Sequence, residues 1–208
     1  LALIGLFGFS KATVRFVGEY AGSRDWARLR GYLRYVRRFV GLASLATAAG
    51  FAGATWLLTG GPESAILRTT CWLAAGVLPV YGLMQIEGAA LRGAKHVVRG
   101  MLPLNVIRPA GLIAGLPLLA VGVSALTAVH AMVVELVATA VALGGAVWML
   151  KRALPDAYVE AEVREERSHW FQTGRNLLLV AGFNMLLFRA DTIMVGAIAN
   201  TEQAGLYA

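Results

Sequence analysis

Charge is what this sequence has least of. Asp, Glu, Lys and Arg make up 15% of its 208 residues, where a soluble domain carries about 25%. Cysteine is nearly missing too. Cys71 stands alone in an apolar run, which rules out an intrachain disulfide and leaves the redox compartment unread. There is no HExxH and no cysteine cluster, and residues 5–11 (GLFGFSK) lack the spacing of a phosphate-binding loop. These gaps leave no soluble-enzyme constellation, and no cofactor or metal is expected. Residues 1–10 have neither a basic leader nor a cleavage site, so a signal peptide is not expected there.

Apolar residues are abundant instead: 58% of the chain, with a mean hydropathy of +0.64. The composition predicts an all-α polytopic membrane protein. At about 20 residues per span, six transmembrane helices fit. Residues 1–18 read as the remainder of one helix, 39–62 as a second, and 69–91 as a third with Pro79 inside it. The run 109–150 holds 42 residues and one charge, Glu135. At 1.5 Å per residue it is about 63 Å long, twice the ~30 Å hydrocarbon layer. It must be two helices, with the turn placed near 124–127. Gly111 and Gly115 form a GxxxG pair that lets helix backbones approach. The last span is 176–196, and it is followed by a turn-like segment at 200–208. The chain starts inside an apolar run and stops just after a turn signal, so a fragment of a longer protein is expected.

Three basic stretches separate these runs. From Ser23, which reads as an N-cap, Trp26, Leu29, Leu33, Val36 and Val40 recur at helical spacing, with Arg28, Arg30, Arg34, Arg37 and Arg38 between them. That pattern predicts an amphipathic helix over 23–38 in the headgroup layer. Residues 92–100 form a short basic loop with Lys95, His96 and Arg99. Residues 151–172 are polar, mixed in charge and the best linker candidate. The stretches 19–38, 92–100 and 151–175 carry six, three and five Lys/Arg, whereas 59–68 carries one and 124–127 none. The positive-inside rule then puts the three basic stretches in the cytosol. It also accounts for the formal net charge of +7 through loops and anionic lipid rather than nucleic acid. Trp26, Trp148 and Trp170 are expected at the inner interface, and Trp56 and Trp72 at the outer one.

The span 176–196 contains Asn184, Arg189 and Asp191. An ionised side chain at mid-bilayer costs about 2.5–3.5 kcal/mol even on a lenient scale, so these groups need a polar path or a partner. Asn184 and Asp191 are seven apart on one face, and Arg189 lies about 200° from Asp191. An apolar helix with R-x-D-x-x-M-x-G, then a polar turn and A-G-L-Y-A, resembles the helix that opens the second half of polysaccharide flippases. These belong to the multidrug/oligosaccharidyl-lipid/polysaccharide exporter superfamily. Val14-Arg15-Phe16-Val17 with Glu19-Tyr20, Leu91-Arg92-Gly93 and Ile107-Arg108-Pro109 resemble helix ends of the same family, in the same order. The resemblance implies a two-bundle fold of 12–14 helices with a central cavity. Residues 1–150 would be an incomplete first bundle, 151–172 the cytosolic joint, and 173–208 the first helix of the second bundle.

The resemblance also implies a cargo, an oligosaccharide on polyprenyl diphosphate. Arginine suits that diphosphate because its planar donors match phosphate oxygens. The candidate substrate-binding residues are Lys11, Arg15, Arg108, Asn184, Arg189 and Asp191. Competing readings stand beside each. Arg15 pairs with Glu19 while both Lys11 and Arg15 snorkel to the inner surface, Arg108 anchors the inner surface, and Asn184 with Asp191 serves a structural network. Glu87 and Glu135 are candidates for a coupling proton or sodium, or for pairing with a neighbouring helix. His130 reads as an interfacial residue. The expected function is flipping of a lipid-linked oligosaccharide across the cytoplasmic membrane of a prokaryote, with anionic lipids and other polysaccharide-assembly membrane proteins as partners. The alternatives are a cation-coupled multidrug antiporter of the same fold and a membrane-embedded glycan polymerase or ligase.

Overall fold

The computed structural model describes residues 2–58, 65–122, 127–164 and 166–177, together with positions 179, 180, 183 and 187. Among the described residues every element is helical: α1 (Ala2–Gly22), α2 (Trp26–Leu58), α3 (Ala65–Gly93), α4 (Val97–Leu102), a π-helical turn (Pro103–Ile107), α5 (Arg108–Gly122), α6 (Ala128–Ala153) and α7 (Asp156–Glu160). Four stretches are long and apolar enough to cross a membrane: α2, α3, the continuous run Val97–Val121, and α6. They fit a multi-pass membrane protein. Leu58, Leu118 and Val121 are 84%, 77% and 90% exposed, as side chains that meet lipid would be. The first expected span is helical as α1 but interrupted by Lys11, Arg15 and Glu19, and it is not among the four. Most of the last expected span, with Asn184, Arg189 and Asp191, lies outside the described residues, as does the turn after it.

α3 is the hub, packed against α1, α2 and α6. Its small residues explain why. A Cβ on Gly93 would sit 2.8 Å from the Val14 carbonyl of α1, and one on Gly88 would sit 2.7 Å from the Gly100 carbonyl of α4. The GxxxG pair works the same way, because Gly111 and Gly115 abut Ala138 and Val134 of α6. The long apolar run divides where length arithmetic placed the turn, with Thr127 as N-cap of α6. His130 completes that cap: the Thr127 backbone N–H donates to its Nδ1 at 3.3 Å. This gives His130 a local structural task.

Two basic stretches differ from expectation. The amphipathic segment and the following span form one helix, α2, of 33 residues. No proline or turn signal separates them. Its apolar stripe of Leu29, Leu33, Val36 and Val40 is buried in the core shared with α1 and α3, so it faces protein and not headgroups. The cap also moves. Asp25 Oδ1 accepts from the Arg28 backbone N–H at 3.1 Å, while the Ser23 hydroxyl turns back to the Glu19 carbonyl of α1. The loop at 92–100 shrinks to three residues between α3 and α4. Both tight turns close alike, with Asp25 N–H on Tyr20 O and His96 N–H on Leu91 O, each at 2.9 Å. Arg24 (φ 57°) and Lys95 (φ 67°) take the left-handed position that usually falls to glycine.

Trp170 is a third difference. It is fully buried in the protein core and not on a lipid-facing surface. Its indole N–H donates to Tyr20 Oη at 3.0 Å, and its ring meets Tyr32 edge-on. Gly31 makes room for the chain leading to it, since a Cβ there would lie 2.0 Å from the Arg164 carbonyl. The end of the polar segment is therefore part of the aromatic core.

Candidate functional site

Two arginine–glutamate pairs lie inside the helical bundle. Each joins adjacent helices, which is what membrane burial demands of ionised groups. The first comes from α5 and α6. Pro109 has no N–H to offer the Asn105 carbonyl, and the backbone ahead of it widens into the π-turn, where the Arg108 N–H bonds the Pro103 carbonyl. Arg108 then begins α5 facing Glu135. Its Nε donates to Glu135 Oε1 at 2.8 Å, and a terminal nitrogen donates to the same oxygen. Among the described residues Glu135 Oε2 receives no hydrogen bond. The guanidinium also stands 5.3 Å from the Tyr81 ring centroid, on α3.

This pair borders an open pocket of about 430 Å³ lined by α3, α5 and α6. Ala74, Val77, Leu112, Leu116, Ala131 and Met132 supply the remaining walls. Arg108 and Glu135 are therefore the charges of an otherwise apolar, open pocket. An anion entering it would meet arginine donors, and a proton or cation would meet a carboxylate oxygen without a partner.

The second pair joins α2 to α3. Arg37 Nε donates to Glu87 Oε1 at 2.5 Å and a terminal nitrogen to Oε2 at 2.8 Å. Both carboxylate oxygens are used, and Glu87 is 2% exposed. Tyr158 of α7 lines one pocket with Arg37. Burial pushes its phenol above the ordinary value, with Arg37 pulling the other way, so it is a neutral hydroxyl at physiological pH.

The sequence-derived candidates thus separate into groups. Arg108 and Glu135, assigned different tasks from sequence, meet at one open pocket. Glu87 is locked to Arg37, and the pairing alternative holds for both acids. Lys11 and Arg15 are exposed along one side of α1. Among the described residues neither has an ion-pair partner, so the expected Arg15–Glu19 pair does not form. Arg37 and Tyr81 escaped sequence reasoning. Arg37 looked like one of five arginines on a polar face, and Tyr81 like one aromatic in an apolar run. Comparison with protein-family models, with curated proteins and with solved structures returns no match.

Proposed function

We propose that the protein is a membrane transporter, and that it flips a polyprenyl-diphosphate-linked oligosaccharide across the cytoplasmic membrane of a prokaryote by alternating access. The observation that carries this reading is the Arg108–Glu135 pair, with one carboxylate oxygen unbonded, at the edge of a cavity between membrane helices. A diphosphate entering the cavity competes with Glu135 for the Arg108 donors. Protonation of Glu135 weakens its hold on Arg108 and leaves the guanidinium to the anion. Site occupancy and proton state are then coupled through one residue pair. The oligosaccharide as cargo rests on the sequence resemblance, as do the two-bundle fold, Arg189 and Asp191 as further contacts, and the cytosolic placement of the basic loops.

A second reading, a cation-coupled drug antiporter, is favoured by the same unbonded oxygen. One experiment separates them. The protein is reconstituted in vesicles with a fluorescent polyprenyl-diphosphate oligosaccharide and, separately, a cationic dye. Under the flippase reading the lipid-linked sugar crosses and Arg108→Ala slows it by at least about tenfold, the scale of one lost charge-assisted contact. Dye efflux abolished by Glu135→Gln, with no sugar movement, would replace it with the antiporter. Movement of neither would overturn both and return the question to a glycan-joining enzyme.

A further inference from the structure

We infer that the cavity between α2 and α7 is a binding site for the phosphate of an anionic phospholipid, with its acyl chains lying along α2. The cavity measures about 380 Å³ and is lined by Arg30, Arg34, Arg37, Arg38 and Tyr158. Four cations converge there, and the acid bonded to them is Glu87, which occupies Arg37. Arg30 is also engaged, but with neutral groups. One of its nitrogens donates to the Val159 and Ala161 carbonyls, each at 2.7 Å, which straps α7 to α2. Glu160 and Glu162 flank those carbonyls, are exposed, and do not line the cavity.

Arg34 and Arg38 have no hydrogen-bond or ion-pair partner among the described residues, and both are exposed. They stand one helical turn apart, where like charges repel. A phosphate between them removes that repulsion and meets planar donors suited to its oxygens. The neutral Tyr158 hydroxyl adds a further donor.

What favours a lipid over free phosphate is the continuation of this face. Leu42 and Leu45 follow Arg34 and Arg38 at helical spacing, and they are 69% and 55% exposed. The face passes from paired arginines to bare leucine within two turns, at the point where the charge-free part of α2 begins. A diester headgroup fits the first part and hydrocarbon fits the second. Bound there, the lipid would hold α7 and α2 together. The inference is independent of any transported cargo.

The test uses the protein purified in neutral detergent. Binding of phosphatidylglycerol, phosphatidylcholine and inorganic phosphate is counted by native mass spectrometry and followed by thermal unfolding. Phosphatidylglycerol should bind in preference to phosphatidylcholine. The double variant Arg34→Gln/Arg38→Gln should lose that preference by about tenfold or more, while Lys151→Gln/Arg152→Gln, at another basic helix end, stays within about twofold. Arg38→Gln alone, at an exposed position, gives the smaller version should the double variant unfold. Equal losses in both double variants would overturn the site in favour of diffuse surface charge. An unchanged preference in Arg34→Gln/Arg38→Gln, or in Arg38→Gln where it stands in, would overturn it outright. Protection by inorganic phosphate equal to that by phosphatidylglycerol would overturn the lipid assignment.

Discussion

The two arginine–glutamate pairs use the same residue types for different ends. Arg37 grips both oxygens of a carboxylate buried in the core between α2 and α3. Arg108 converges on one oxygen of Glu135, leaves the other open, and leans on Tyr81 beside a cavity. A fully satisfied pair cannot change partners without a large cost, so the first reads as a fastener. A half-satisfied pair can exchange a partner, so the second reads as a site. Charge inside a membrane helix is therefore too coarse a sign of function. What separates the two is how many acceptor positions remain unfilled.

Substitutions can break that contrast. The largest effect is expected from Glu87→Ala, which leaves Arg37 without its counter-ion. Removing one member of a fully buried pair costs about 3–5 kcal/mol; Arg37 is partly exposed, so the variant should lose about 2–3 kcal/mol and unfold earlier in detergent melts. A milder change sharpens the comparison. Arg37→Lys keeps the charge but loses the two-pronged grip and should cost about 1.5–3 kcal/mol, one charge-assisted hydrogen bond. Arg108→Lys should cost less than half of that in the same melt. If the two lysine variants melt alike, the distinction between fastener and site fails.

Glu135→Gln should change stability by under about 1 kcal/mol, because glutamine still offers Arg108 an acceptor. On the proposed transporter reading, movement of cargo in vesicles should nevertheless lose its response to a pH gradient, since glutamine cannot bind or release a proton there. A pH response equal to that of the parent would remove Glu135 from the coupling. The smallest effect belongs to Tyr81→Leu. A cation–π contact is worth about 0.5–2 kcal/mol, and its loss should appear as a small drop in melting temperature. The Arg37 pair, which has no contact with Tyr81, should be untouched.

Much of the helical layout was legible in the sequence because it follows from length and hydropathy. The split of the long apolar run needed only the rise per residue and the thickness of a bilayer. The glycine pair at 111 and 115 indicated close packing, and α6 is where that packing occurs. Pairing was not legible. Arg108 and Glu135 are separated by a whole helix and a turn, and sequence order does not say which faces meet. The arginines between 28 and 38 misled for a related reason. An apolar stripe at helical spacing looks the same whether it meets headgroups or a neighbouring helix, and only the packing of α1 and α3 against Leu29, Leu33 and Val36 decides. Trp170 was assigned to an interface by residue type, whereas Gly31 opens the path that buries it.

The π-turn at Pro103–Ile107 carries a consequence for how this chain tolerates change over generations. One residue corresponds to about 100° of helix rotation, and this turn holds one residue more than an α-helical ladder needs. Upstream of it Gly100 is seated against Gly88, and downstream Gly111 and Gly115 are seated against α6. Losing a single residue between 103 and 107 would return the turn to an α-helical ladder and leave both seats in phase. The turn thus acts as one link of slack between two fixed seats. Descendants of this sequence can take up that link, but a second loss would set the seats about 100° out of phase.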